Sequence, residues 1–240
     1  MIILSALHKS FENRPVLRGL DLDVSKGRSM VVVGPSGAGK SVMLKCAIGL
    51  SQPDSGTVTL DGTPMTASSR ASLMPRTGVL FQGAALFDSL TIWENVAFEL
   101  LRQLSRPQAR ATAIEKLARV GLEADTADRL PSQLSGGMRK RAGLARAIAS
   151  NPQLMFFDEP TTGLDPVMAG KINRLIREVV TELGATALTI THDITTVQTV
   201  ADDVAFLWNG AVRWTGAAAT LQTATDPDLR AFLAGRSASK

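Results

Sequence analysis

The stretch that most constrains this chain is GPSGAGKS, residues 34 to 41, directly after the β-branched run SMVVV at 29 to 33. A short apolar run stopped by Gly34 and Pro35 suits a strand buried on both faces of a parallel sheet. The following pattern, SVMLKCAIGL, is helical. Strand, glycine-rich turn and helix in this order fit a phosphate-binding loop, with Gly34, Gly39, Lys40 and Ser41 at the defining positions. The turn Gly34, Pro35, Ser36, Gly37, Ala38 and Gly39 lets backbone N–H groups curl around an anion, and the helix start adds favourable potential. Lys40 is suited to bridge β- and γ-phosphates and Ser41 to ligate Mg²⁺, with Val42 closing the nucleotide-contacting stretch.

LMFFDEP, 154 to 160, sets two carboxylates just beyond an apolar strand. Asp158 is suited to hold Mg²⁺ through water, and Glu159 to polarise an attacking water. Gln82, in VLFQG, and His192, after ATALTIT, are unremarkable polar residues alone. Beside a γ-phosphate they gain a purpose: Gln82 at Mg²⁺ or the water, His192 as a hydrogen-bond donor to the phosphate.

The remaining patterns frame these motifs. MIILSAL and VLRGLDLDV, within residues 1 to 26, read as short strands, and TVTLDG at 57 to 62 ends in an Asp-Gly turn. LMFF at 154 to 157, ATALTIT at 185 to 191 and DVAFLW at 203 to 208 read as buried strands. Helical patterns cover 92 to 120, 137 to 150 and 167 to 183. NGAVRWTG, 209 to 216, reads as a hairpin, and 226 to 240 as a tail that opens with a short helix. Strand and helix alternating in this way predict an α/β fold with a parallel sheet over residues 1 to 225. The helix-rich stretch from about 88 to 150 is expected as an inserted subdomain.

LSGGMRKR, 134 to 141, opens one of those helices. A helix start favours negative charge, yet three basic residues follow the glycines at once. Arg139, Lys140 and Arg141 read either as a solvated or acidic-partner-facing cluster or as phosphate contacts.

Composition narrows the class without choosing a partner. The net charge is +4, a mild excess that suits phosphates, anionic lipid or nucleic acid alike. The lone cysteine, Cys46, cannot form an internal disulfide, so no oxidising compartment is implied. The start, MIILSALHKSF, lacks the features of a signal peptide. No apolar run approaches the ~20 residues that span a bilayer. The expectation is a cytoplasmic protein whose membrane role comes through a partner.

Taken in order, GPSGAGKS, Gln82, LSGGM, LMFFDE, GLDP and His192 resemble the nucleotide-binding subunits of ATP-binding cassette (ABC) transporters, over essentially the whole chain. The resemblance implies an ABC-type P-loop fold: an N-terminal antiparallel β-subdomain, a parallel RecA-like core sheet and an inserted helical subdomain. It implies a Walker A loop at 34 to 41, a Q-loop at Gln82, a signature at 134 to 138 and a Walker B strand at 154 to 158. It further implies Glu159 as catalytic base, a D-loop around Asp165 and His192 as switch residue, with ATP and Mg²⁺ bound. Phe11 occupies the place of the aromatic that stacks on adenine, usually a Tyr, with Val16 as its packing neighbour. Packing within a strand edge is the alternative role for Phe11. In such proteins each ATP lies between the Walker A loop of one subunit and the signature of the other. A homodimer is therefore implied, with Ser135, Gly136 and Gly137 facing the partner's γ-phosphate.

Three stretches narrow the resemblance: LSGGM followed by RKR, FQGAALFDSLTIWENVAFEL at 81 to 100, and DPDLRAFLAGR at 226 to 236. They resemble the ATPases that serve lipid-trafficking systems with MCE-domain partners, namely the Mla phospholipid system of Gram-negative bacteria and its actinobacterial and plastid relatives. This implies a permease dimer, an MCE-domain lipid-binding subunit, a possible STAS-domain protein, and a peripheral place on the cytoplasmic face of the inner membrane. No nucleic-acid partner is expected. Rival readings are an importer ATPase for amino acids or other small solutes, a soluble ABC ATPase acting on nucleic acid or ribosomes, and a simple phosphotransferase. Two departures from the Mla pattern stand out: Gly83-Ala84 where Ser-Gly is more frequent, and Gly143 in place of an aliphatic residue.

Overall fold

The apolar runs form strands and the amphipathic patterns form helices, in a computed structural model that describes residues 1–235. In chain order these are β1 (Ile2–Phe11), β2 (Arg14–Val24), β3 (Ser29–Val33), α1 (Lys40–Ala47), β4 (Ser55–Leu60), β5 (Thr63–Pro64) and α2 (Arg70–Leu73). Next come β6 (Thr77–Leu80), α3 (Ile92–Val96), α4 (Arg106–Arg119), α5 (Gly136–Ala147), β7 (Leu154–Asp158) and α6 (Pro166–Leu183). The chain closes with β8 (Thr186–Ile190), α7 (Ile194–Val200), β9 (Asp203–Trp208), β10 (Ala211–Ala217) and α8 (Pro227–Leu233). The apolar periodicity of the sequence gives no sign of β6 or α7. Residues 236 to 240 of the expected tail lie outside the described residues.

Two compact units emerge. Among the described residues the first comprises 1–73 and 186–235. Within it β2, β1, β4 and β5 form an antiparallel sheet in that order. Asp61 and Gly62 link its last two strands with φ of 46° and 78°, the two left-handed residues that a type I′ turn requires. The same unit holds β10, β9, β3 and β8 in that order, with β3 parallel to both neighbours. Every residue of β3 and of β8 is buried, which is why neither shows the inside–outside alternation of a half-exposed strand. The described part of the tail folds back on this unit. Leu229 is fully buried, the Phe232 ring lies 5.6 Å from that of Phe206, and Arg213 pairs with Asp226 and Asp228.

The second unit spans residues 74–185. β6 and β7 pair in parallel, Leu80 opposite Phe157. The helix expected over 92 to 120 is broken: α3 stops at Val96 and α4 starts at Arg106. Ser105 caps a new helix, its backbone N–H and hydroxyl donating to Gln108 Oε1 at 3.2 and 2.7 Å. Pro107, with no N–H and a ring that clashes one turn back, fits a first helical turn and not an interior. Apolar periodicity runs across this break because α3 and α4 each bury one face: Ile92 and Val96, then Ala109, Ala113 and Leu117.

Candidate functional site

In the first unit the phosphate loop leaves the end of β3, and the turn carrying His192 leaves the end of β8. The two strands stay paired to that point, since Thr191 N donates to Val32 O at 3.1 Å. Gly34 is required by close approach: a Cβ there would lie 2.3 Å from Leu207 O. Gly37 and Gly39 have φ of 81° and 105°, and nothing lies within 4 Å of where a Gly37 Cβ would point. Gly37 therefore borders open space on the side where a side chain would stand. Lys40 is buried, its Nζ donating to Gly34 O at 2.7 Å and Pro35 O at 3.0 Å, so the ammonium is held across the loop. No acidic residue stands in the first turn of α1, which leaves the positive helix end uncompensated. Ser41 is exposed and Val42 partly so.

Phe11, at the end of β1, is 49% exposed, too open for a core position. Lys9 Nζ sits 5.5 Å from its ring centroid, so an incoming aromatic has the other face to stack on. Val16 borders the phosphate loop directly: a Cβ on Gly39 would be 3.2 Å from Val16 O and 3.4 Å from Val16 Cγ1. His192 is exposed, and Asp193 beside it caps α7 by accepting from Thr195 N at 2.8 Å.

In the second unit Gln82 and the Asp158–Glu159 pair leave the same end of the parallel β6–β7 pair. Gln82 is exposed, while both carboxylates are partly buried. Glu159 has φ of 45°, a left-handed conformation that a non-glycine residue keeps only where its surroundings hold it. Thr162 Oγ1 donates to Glu159 Oε2 at 3.2 Å. Ser135 caps α5, its Oγ accepting from Met138 N at 3.3 Å, and stays exposed together with Gly136. Gly137 is buried instead, and its Cβ would meet Met168 Cγ at 2.9 Å, so that glycine lets α6 approach α5.

The basic residues after the signature glycines mostly turn to backbone. Arg139 Nη1 donates to Leu134 O at 3.0 Å and Arg141 Nη1 to Gly121 O at 2.5 Å. Lys140 corrects the solvated reading outright: it is 6% exposed and its Nζ donates to the carbonyls of Gln82 and Glu159. Burial pushes its ammonium below the ordinary lysine value, while the charges of Asp158 and Glu159 act to raise it. The sequence carried one sign of this role, a lysine on the apolar side of an otherwise amphipathic helix.

The phosphate loop of the first unit fits a nucleotide. The glycine-lined loop, the open helix start and the buried lysine suit a polyphosphate. Among the described residues no group of three or more His, Cys, Asp or Glu gathers as a metal site. Each unit carries hard oxygen donors of the kind Mg²⁺ takes beside substrate phosphates and water: Ser41 in the first, Gln82 and Asp158 in the second.

Comparison with known proteins agrees with the geometry. The family model described as ABC transporter matches residues 17–162. A probable ribonucleotide transport ATP-binding protein, mkl, of Mycobacterium leprae is 40% identical over 98% of this chain and 69% of its own. The intermembrane phospholipid transport system ATP-binding protein MlaF of Escherichia coli K12 is 40% identical over 93% of this chain and 84% of its own. The chloroplastic trigalactosyldiacylglycerol 3 protein of Arabidopsis thaliana is 37% identical over 95% of this chain and 72% of its own. Among solved structures, the ATP-binding cassette MJ0796, a dimer in a post-hydrolysis state with ADP and Pi, superimposes with a TM-score of 0.84 at 30% identity. It covers 91% of this chain and 99% of that one. The antiparallel sheet, the parallel strands and the phosphate loop are those of an ABC-type P-loop fold. The chain belongs to the ABC transporter family, as one of its ATP-binding, ATP-hydrolysing subunits.

Proposed function

We propose that this chain is the ATPase subunit of an ABC complex that moves phospholipid between membranes. The observation that carries the reading is the 40% identity, over 93% of the chain, to a relative named for intermembrane phospholipid transport. The plastid relative, alike over 95% of the chain, supports it from a distant organism. The mycobacterial relatives' name, ribonucleotide transport, favours a small-solute cargo at equal identity and is the second reading.

In this proposal Phe11 and Val16 hold the adenine end of ATP. Gly34, Pro35, Ser36, Gly37, Ala38, Gly39, Lys40, Ser41 and Val42 hold its phosphates. Mg²⁺, with Ser41, Gln82 and Asp158 as its protein donors, would offset charge on the phosphate oxygens. Glu159 accepts a proton from the attacking water, Gln82 orients that water, and His192 hydrogen-bonds the γ-phosphate. Water attack on the γ-phosphorus breaks its bond to the bridging oxygen and yields ADP and phosphate. Ser135, Gly136 and Gly137 complete the site of a second copy, so the working unit is a dimer. The dimeric state of a structural neighbour supports this.

No described helix is long and apolar enough to cross a membrane, so in this reading membrane coupling falls to a permease dimer. A surface suited to it follows Gln82. Phe87 and Phe98 are 45% and 38% exposed with ring centroids 4.7 Å apart. The buried Asn95 fixes that display, accepting from Phe87 N at 2.7 Å and donating to the carbonyls of Phe87, Leu90 and Thr91. An MCE-domain subunit and a STAS-domain protein complete the proposed complex, at the cytoplasmic face of the inner membrane. Affinity capture of the tagged chain from detergent-solubilised membranes tests this. Recovery of a permease with an MCE-domain protein is expected. Recovery of a periplasmic solute-binding protein instead would favour the small-solute reading and contradict the lipid one.

A further inference from the structure

The segment from β6 to the turn beyond Gln82 runs antiparallel along one side of α5. A Cβ on Gly78 would lie 2.2 Å from Ala147 O, and one on Gly143 would lie 2.9 Å from Leu80 Cδ1 and 3.0 Å from Ala84 Cβ. Farther along, Lys140 Nζ donates to Gln82 O. Beside this seam Arg146 donates through Nη2 to Ala84 O and through Nη1 to Ala85 O, both at 2.7 Å. Ala84 and Ala85 have φ of 62° and 47°. For an alanine, each such residue costs roughly 1–2 kcal/mol, so the turn keeps its shape because α5 grips it.

Lys140 differs from the other grips because it also reaches a second segment, the one that carries Asp158 and Glu159. Its Nζ donates to Glu159 O at 3.4 Å as well as to Gln82 O. A buried ammonium gives up its hydration and needs acceptors in return, and these two carbonyls are what the fold provides. Gln82 and Glu159 are the residues whose side chains the proposed mechanism places around the attacking water. Each is tethered by its own backbone carbonyl to one cation. That cation sits on the helix that Ser135 caps, five positions earlier.

We propose that Lys140 is a positioning residue, whose hydrogen bonds to the Gln82 and Glu159 carbonyls keep both side chains in register with the signature helix α5. The proposal rests on the ATPase reading above. It gives the N-terminal part of α5 two separate tasks: Ser135 at its start meets the phosphate of a second copy, and Lys140 about one turn on carries any shift of the helix to the groups that handle water.

The test uses the full chain, assembled in its complex, with ATP turnover, ATP binding, thermal stability and amide exchange measured together. Lys140→Met keeps the apolar stem and removes the donors. Lys140→Gln keeps a neutral donor on a shorter arm. For the Met variant kcat should fall about ten- to a hundred-fold, the cost of misplacing reacting groups, while ATP Kd stays within about twofold. Amide exchange should quicken at 83 to 85 and 161 to 162 ahead of the rest of the chain, and the Gln variant should recover part of the lost kcat. A Met variant with wild-type turnover overturns the proposal. So does a Gln variant as impaired as the Met variant at equal stability, because donation would then not be what matters. Glu159→Gln, measured alongside, separates the two levels. If it hydrolyses ATP normally, the ATPase assignment of the site fails whatever Lys140 does. If it is inactive and Lys140→Met is not, only the Lys140 proposal fails.

Discussion

The phosphate loop of the first unit and the α5-centred cluster of the second are built in opposite ways. The loop is eight consecutive residues whose shape follows from local backbone freedom: glycines where φ is positive, and one lysine folded onto carbonyls five and six residues back. The α5 cluster gathers residues 82 to 85, 135 to 146 and 158 to 159, and a buried cation holds it from positions 58 and 19 residues away. A local motif keeps its geometry wherever a strand meets a helix. A gathered one depends on the helix that grips it, so a displacement of that helix moves several reacting groups at once. The loop is suited to hold substrate and the cluster to respond to it.

Breaking each region should therefore look different. The largest effect is expected at the loop: Lys40→Ala should reduce ATP turnover at least about a hundred-fold by removing the cation from a preorganised anion site. Titration of ATP binding beside turnover checks it, and unchanged activity would remove the phosphate-loop assignment. Phe11→Ala should act on binding only. Loss of a base-stacking face worth about 1–1.5 kcal/mol raises the ATP KM about five- to tenfold with kcat unchanged. Phe11→Trp, which keeps a stacking face, should hold KM near the wild-type value.

The smallest effect sharpens the second region. Gly143→Ala gains about 1 kcal/mol of helix propensity. It also pushes a methyl against Leu80 and Ala84, an overpacking cost of about 1–3 kcal/mol. Net destabilisation of about 1 kcal/mol is expected in denaturant titration. In an Ala84→Gly background the clash with Ala84 Cβ disappears, so the two changes should show a coupling of at least ~0.5 kcal/mol. Strict additivity would mean that the contact between them carries no energy. The two departures from the lipid-ATPase pattern noted in the sequence, at 83–84 and at 143, are thus neighbours in space.

This contrast also governs what could be read in advance. β3, β7, β8, β9 and the hairpin turn at Asn209-Gly210 were legible because burial on both faces and positive φ leave local marks in the sequence. By resemblance Val16 is the packing neighbour of Phe11; the structure sets it instead against Gly39 of the loop, where a Cβ would come within 3.4 Å of Val16 Cγ1. The break between α3 and α4 was signalled by Ser105, Pro107 and Gln108, a stop that apolar periodicity overrode. Lys140 was read with its neighbours as one basic cluster. Periodicity counts a lysine as polar, and nothing near it in sequence announces two carbonyl acceptors on distant strand ends. Asn95 and Arg146 escaped notice for the same reason: their partners are backbone atoms of a turn whose conformation is itself a tertiary result.

The central claim is that Glu159 is the base of an ATPase whose sites form between two copies of this chain. Its most direct test is Glu159→Gln with ATP and Mg²⁺, followed by turnover and by light scattering on the eluted protein. The account predicts no sustained hydrolysis, retained ATP and a stable ATP-bound dimer. Normal turnover, or a chain that binds ATP and stays monomeric, would contradict it.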